Sequence, residues 1–327
     1  RDHHFALIRE IVEKYDMDGL ELDWMRFGFH FRPGFEGEGL KILTDFMKDV
    51  RNLLDQWESI RGHMIKLSAR VPSRPQTAMG LGMDAVCWAK MGLVDTLVVT
   101  PFWATIETDM PIEIWKHLLD GTGVTLLAGM EVLIRAYPRS PLRQYNSLET
   151  LRGATMSLLD RGADGIYLFN YMESTNPITV VDTIDYSLLL QEAGNPEIIK
   201  NKPRRHVMTY ADTWAPGEPE AIPLPALCQP GQYRTFRMYM DSYSQDMSTM
   251  IYLGMATQEE IGEDDCEVLL NGVPCKWTGS VDLDKPAPEE AVYGFKVSDG
   301  VPHRGYNAIE VNFKKQVNIT WVEISVK

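Results

Sequence analysis

The chain has 327 residues, 44% of them apolar, and carries 46 Asp and Glu against 32 Lys and Arg for a net charge of −14. That length suits two domains with a sizeable core, and so acidic a balance argues against nucleic acid, which selects a basic surface. No run of ~18 apolar residues occurs, which excludes a membrane-spanning helix.

From residue 1 to about 195, helix and strand patterns alternate. An opening helix is predicted over residues 2–15, with Phe5, Ile8, Ile11 and Val12 on one side. The first strand, 17–24, contains Asp18-Gly19-Leu20-Glu21-Leu22-Asp23-Trp24. Residues two apart on a strand share a face, so Leu20 and Leu22 look one way and Glu21 and Asp23 the other. Two neighbouring inward acids are costly unless a polar cavity or partner receives them. A long helix follows, marked by Leu40, Leu43, Phe46, Met47, Val50, Leu53, Leu54 and Trp57 at helical spacing.

Further strands are predicted at 64–71, 95–102, 123–131 and 164–171. The helices between them follow Asp84, run from near Asp109 to Gly121 with Pro111 in the first turn, and run from Ser147 to Gly162. Thr96-Leu97-Val98-Val99-Thr100 is nearly all apolar, as parallel strands covered on both faces are. Strands alternating with helices imply βαβ units, and no Gly-rich phosphate loop follows any of them. A closed (β/α)8 barrel needs eight strands and typically ~250 residues. Residues 1–195 supply five strands, so the expectation is an α/β fold of TIM-barrel type seen from strand four to strand eight. A preceding segment or a second chain would complete it. A complete five-stranded doubly wound sheet is the alternative.

Seven prolines between 196 and 230 mark a linker with irregular loops, with 204–212 as a first strand. From 231 to 327 helix signals vanish, and short strands with turn chemistry predict a β-sandwich accessory domain. Cys87, Cys228, Cys266 and Cys275 form no CxxC pair, so no zinc site is expected. A two-residue turn at Asn271-Gly272 sets Cys275 across from Val268 rather than Cys266, and a disulfide there is not favoured.

The run from Tyr15 through Asp18-Gly19-Leu20-Glu21-Leu22-Asp23-Trp24-Met25-Arg26 resembles the fourth strand of glycoside hydrolase-like TIM barrels. Lys66–Pro72 and the segments 92–95, 126–132 and 162–171 resemble strands five to eight in order, and 305–311 resembles the edge of an accessory sandwich. The resemblance implies hydrolysis of O-glycosidic bonds in a poly- or oligosaccharide without a cofactor, in a secreted or cell-envelope protein. Two departures stand out. Family 18 chitinases end their DxxDxDxE motif on a catalytic Glu, where this chain has Met25. The Asn-Glu pair of the large retaining clan is also missing.

Glycoside hydrolysis uses two carboxyl groups flanking the scissile bond. Asp23 at the end of strand four and Glu131 at the end of strand seven are the candidates, with an ion pair to Arg26 the alternative for Asp23 and a structural salt bridge to Arg135 or Arg70 the alternative for Glu131. The resemblance implies Glu131 as nucleophile and Asp23 as acid/base. Glu21, one layer deeper, is either a supporting like charge beside Asp23 or a buried hydrogen-bonded acid. Arg70 ends strand five facing inward, either to clamp a substrate or to hold Asp23 ionised. Trp24, His30, Trp103, Asn170 and Tyr171 are candidate sugar contacts, with core packing the alternative for the tryptophans and simple exposure for His30. Two rival functions remain open: a barrel that binds carbohydrate without cleaving it, and a sugar-acid lyase or isomerase, which Arg70 would suit.

Overall fold

The computed structural model describes residues 1–140, 144–171, 183–242, 246–257, 260–283 and 290–327. The chain begins with α1 (Asp2–Lys14), β1 (Gly19–Asp23), α2 (Glu36–Arg61), β2 (Lys66–Pro72) and α3 (Pro75–Gly80). Next come α4 (Ala85–Lys90), β3 (Thr96–Thr100), α5 (Ile112–Leu118), β4 (Thr125–Glu131), β5 (Leu133–Ile134) and β6 (Gln144–Tyr145). Then follow α6 (Leu148–Asp160), β7 (Gly165–Phe169), α7 (Thr183–Glu192) and α8 (Pro196–Ile199). Strands β1, β2, β3, β4 and β7 are the five predicted ones, each within two residues of its expected bounds.

All five pair in parallel, and their order in the sheet is their order in the chain. A doubly wound sheet reverses strand order at a switch point; this sheet has no such reversal. One face is apolar because alternate residues of each strand are. Leu67, Ala69, Val71, Leu97, Val99, Leu126, Ala128 and Met130 are all fully buried there. They share a core with Phe46, Met47, Val50 and Leu54 of α2, Trp88 of α4 and Trp115 of α5. Gly62 ends α2 in the left-handed conformation at φ +79°, which glycine takes without steric cost.

The opposite face is polar, carrying Glu21, Asp23, Ser68, Arg70, Glu131 and Tyr167. The sheet curls around it. Tyr167 on β7 donates its hydroxyl proton to Glu21 on β1 at 2.8 Å, although three strands lie between them. β4 approaches β3 closely: a Cβ on Gly129 would stand 2.3 Å from Thr100 Oγ1 and 2.4 Å from its Cβ. Gly129→Ala should therefore destabilise the protein by about 1–3 kcal/mol through overpacking. A denaturation midpoint that does not move would contradict the close approach.

The rest of the chain is β8 (Arg204–Val207), β9 (Ala226–Cys228), β10 (Arg234–Met240), β11 (Thr249–Ala256) and β12 (Cys266–Leu270). It ends with β13 (Val273–Pro274), β14 (Lys276–Ser280), β15 (Glu290–Lys296), β16 (Gly305–Phe313) and β17 (Val317–Val326). Two antiparallel sheets result, β10-β16-β12-β13 and β14-β15-β11-β17-β8, with β9 also pairing β17. Two pieces of the proline-rich stretch are thus strands of a sheet. The first ends at Val207, because 208–212 turns away as irregular backbone. Asn307, Ile309, Val311 and Phe313 alternate inward along β16. Asn271 and Gly272, at φ +52° and +78°, make the two-residue turn. Cys275 donates its N–H to Val268 O at 2.8 Å, and all four cysteines are unpaired.

The two parts of the chain meet where α6 lies on β8. A Cβ on Gly153 would come within 2.1 Å of Arg205 O, so helix and strand backbones touch. Arg204 is fully buried beside them and grips Asp241 with Nε at 3.2 Å and Nη2 at 2.8 Å. A second tie runs from Arg161, after α6, to Glu113 at 2.7 and 2.8 Å and to the Tyr306 hydroxyl at 3.0 Å. Arg237 of β10 closes this network on Asp109 at 2.9 Å.

Candidate active site

Asp23 is the last residue of β1. Its Oδ1 accepts the N–H groups of Met25 at 2.9 Å and Arg26 at 3.2 Å, an aspartate-capped turn. Its Oδ2 accepts Arg70 Nη1 at 2.8 Å. Both oxygens are therefore fixed in direction, while a third of the side chain, 34%, stays open to solvent. Arg70 is buried, and its guanidinium carbon sits 3.7 Å from the centre of the Phe169 ring, a cation–π contact reaching from β2 to β7. Its Nε has no hydrogen-bond partner among the described residues.

Glu131 ends β4 and is only 2% exposed. Its Oε1 accepts Asn170 Nδ2 at 3.2 Å, and its Oε2 is buried without a partner among the described residues. Burial pushes the carboxyl up to about 7. The Asn170 hydrogen bond, the Val132 backbone N–H and the Arg70 charge oppose the rise, and the negative charge of Asp212 adds to it. A carboxyl that keeps its proton to neutrality is suited to donate it.

The strand end under Glu131 is braced through its backbone. Its carbonyl accepts Asn146 Nδ2 at 2.6 Å and the Tyr171 hydroxyl at 3.1 Å. Asn170 adopts φ +62°, a left-handed conformation in which Asn is enriched.

The structure thus brings Asp23, Arg70, Glu131 and Asn170 together at the C-terminal ends of the strands. Glu21 lies on the same face two residues earlier, where Tyr167 at 2.8 Å and Ser68 at 3.1 Å occupy its two oxygens. Tyr171 is buried beneath and holds backbone. Trp24 stands on the helix side of the sheet, with its ring 5.8 Å from Phe46 and 6.4 Å from Trp88. His30 lies in the exposed loop after β1, with Nε2 2.9 Å from Trp24 O. Trp103 is half exposed in the loop after β3. No group of three or more His, Cys, Asp or Glu placed to hold a metal ion occurs among the described residues.

Two acids absent from the sequence reading belong to this region. Asp212 accepts the N–H groups of Phe102, Trp103 and Ala104 at 2.7, 2.9 and 2.8 Å, and so fixes the loop after β3 from more than a hundred residues away. Glu107 is buried and bonded to the Ser73 hydroxyl and to Arg74 Nε at 3.0 Å. Burial raises its carboxyl above the ordinary range against those two partners. Neither has a local sequence signal, since what defines each is a partner on another element.

No protein-family model matches the chain, and no curated protein matches it. Among solved structures, it is similar to BuGH86 in complex with neoagarooctaose, at 11% identity and TM-score 0.27 over 93% of this chain and 69% of that one. It is similar to a family GH18 chitinase from Chromobacterium violaceum at 10% and 0.27, over 95% and 67% of the two chains. The lipase BlEst2 from Bacillus licheniformis matches at 7% and 0.23, over 89% and 65%. The neighbours include glycoside hydrolases, but scores this low do not establish a shared fold, so the functional argument rests on the site itself.

Proposed function

We propose that this chain hydrolyses O-glycosidic bonds in a poly- or oligosaccharide, with Glu131 and Asp23 as the carboxyl pair. The observation that carries the reading is Glu131: buried, with one oxygen unpartnered and its proton held to about pH 7. It shares a sheet face with a second carboxylate held in place by Arg70. Glu131 is the acid that protonates the leaving oxygen. As the C–O bond breaks, Asp23 either attacks the sugar carbon, to be displaced later by water, or takes a proton from the water that attacks it, so that water supplies the new hydroxyl on that carbon. This exchanges the roles that the family resemblance implies, because burial has given the proton-holding environment to the strand-seven residue.

The fold half of the proposal is a (β/α)8 barrel, with β1, β2, β3, β4 and β7 as strands four to eight and the sandwich buttressing it. A preceding segment or second chain would pair with the outer edges of β1 and β7. A secreted or cell-envelope location belongs to the same reading. No helix among the described residues is long and apolar enough to cross a membrane.

The test is product release from a panel of polysaccharides by the wild type and by Asp23→Asn. The variant should lose about 10²-fold or more in kcat, the scale of removing one preorganised electrostatic group. An unchanged kcat removes Asp23 from the chemistry. One observation favours a second reading, a barrel that binds glycan without cutting it: both Asp23 oxygens are already occupied. Saturable glycan binding with no product from any substrate would establish that reading instead.

A further inference from the structure

Just past Asp23 the chain does something unfavourable. Phe27 holds φ +64°, a conformation that bulky side chains rarely adopt. Its ring is 69% exposed, so burial does not compensate. The residues before it are held by hydrogen bonds and the one after it is buried. Asp23 Oδ1 fixes the N–H groups of Met25 and Arg26, and the buried Gly28 is packed near Met83 and Leu81, where a Cβ would lie 3.5 Å from the methionine methyl. The exposed ring meets another loop: Phe27 and Phe102 lie 5.8 Å apart edge to face, and Phe102 and Trp103 lie 6.2 Å apart. Trp103 is itself 50% exposed. The second loop is fixed as well, through the three N–H groups that Asp212 accepts.

Two independently anchored loops therefore present two exposed aromatic rings, Phe27 and Trp103, joined through the half-buried Phe102, beside a candidate catalytic carboxylate. Strain that persists in a rigid surround is a mark of function, and clustered exposed apolar rings mark a contact surface. We infer that Phe27, Phe102 and Trp103 form a platform on which neutral sugar rings of the glycan stack, seating the chain against Asp23. The inference rests on the carbohydrate reading of the site. The occupant follows from the chemistry: flat rings match the C–H face of a pyranose, while the guanidinium of Arg26 nearby supplies hydrogen bonds to its hydroxyls. Arg26 also lies 5.7 Å over the Phe27 ring, which keeps it at the platform's edge.

The strain makes the test discriminating. Asn tolerates the left-handed conformation, so Phe27→Asn relieves the backbone while deleting the ring. Binding of neutral hexasaccharides from β-1,4-glucan, xylan, agarose and chitin is measured by calorimetry in the Glu131→Gln background, so that no substrate is consumed. Phe27→Asn and Trp103→Ala should each weaken the best-binding hexasaccharide about tenfold, the worth of one aromatic contact. Phe27→Asn should melt no lower than its parent. Unchanged affinity in both variants, a lower melting temperature for Phe27→Asn with unchanged affinity, or no binding of any hexasaccharide would overturn the platform. If the wild type releases product and Phe27→Asn keeps its KM, the platform fails and hydrolysis stands. If the hexasaccharide binds through these rings and no product forms, the platform stands and hydrolysis fails.

Discussion

Glu131→Gln is expected to lower turnover by about 10²–10⁴-fold, the contribution of a positioned proton donor. The same variant should change how stability depends on pH. Glu131 binds its proton more tightly folded, at about 7, than at its ordinary value of 4.5. A group raised in this way adds stability that is complete below the lower value and is lost as the pH rises through the upper one. At about 1.4 kcal/mol per pKa unit, the wild type gives up roughly 3 kcal/mol across that window. Glutamine keeps the acceptor for Asn170 and has no proton to lose. Its stability relative to wild type should therefore rise by that amount between pH 5 and pH 8 in urea titrations. Buried His206, held down to about 3, acts in the opposite sense, because its contribution is full above 6.5 and falls as the pH drops. Both proteins carry it, so it cancels in the difference. Parallel curves would show that Glu131 does not hold its proton, and the proposed acid would be lost with it.

Arg204→Met should be the most damaging change to the fold, at about 3–5 kcal/mol near neutrality, as expected when one partner of a buried ion pair is removed. Asp241 is 1% exposed and would be left without its main cation. The carbonyls of Lys200 and Lys202, which Arg204 Nη1 serves at 3.0 and 3.3 Å, would lose a donor. The loss should shrink as the medium is acidified. Burial already raises Asp241 above its ordinary range, and without the arginine it protonates more readily. His206, 3.5 Å from Asp241 Oδ1, is held down first by burial and then by the Arg204 charge, and the variant removes the second of these. Pairing Arg204→Met with Asp241→Leu should restore most of the stability, since apolar replacement of a whole buried pair is often neutral. A single variant as stable as wild type, or a loss that does not vary between pH 5 and pH 8, would contradict this account.

The parallel strands were legible from two local signals: nearly continuous apolar runs such as 96–100, and alternation of apolar with polar residues in 19–23 and 66–71, each bounded by turn residues. The sheet face of Glu21 and Asp23 followed from alternation alone. The same alternation puts Trp24 with Leu20 and Leu22, on the side where its ring meets Trp88; its place near a loop had suggested the mouth instead. The state of Glu131 was not legible, because it depends on how completely β7 and the segment around Asn146 enclose it. Asp212 was hidden for a related reason: an aspartate in a proline-rich stretch looks like a turn residue until the backbone it serves is known. The exposed Phe27 drew no notice in the sequence, since nothing local requires its left-handed backbone.

The Asp212 clamp bears on how this protein can be dissected. The aspartate lies five residues beyond β8, a strand of the second antiparallel sheet, yet it secures the loop that carries Trp103. Trimming the chain at residue 195 to isolate the parallel-sheet part would strip that loop of its anchor. Crossing the front part with a foreign accessory module would do the same. The smallest piece worth expressing for chemistry must reach past residue 212, and the two parts are better inherited together than shuffled.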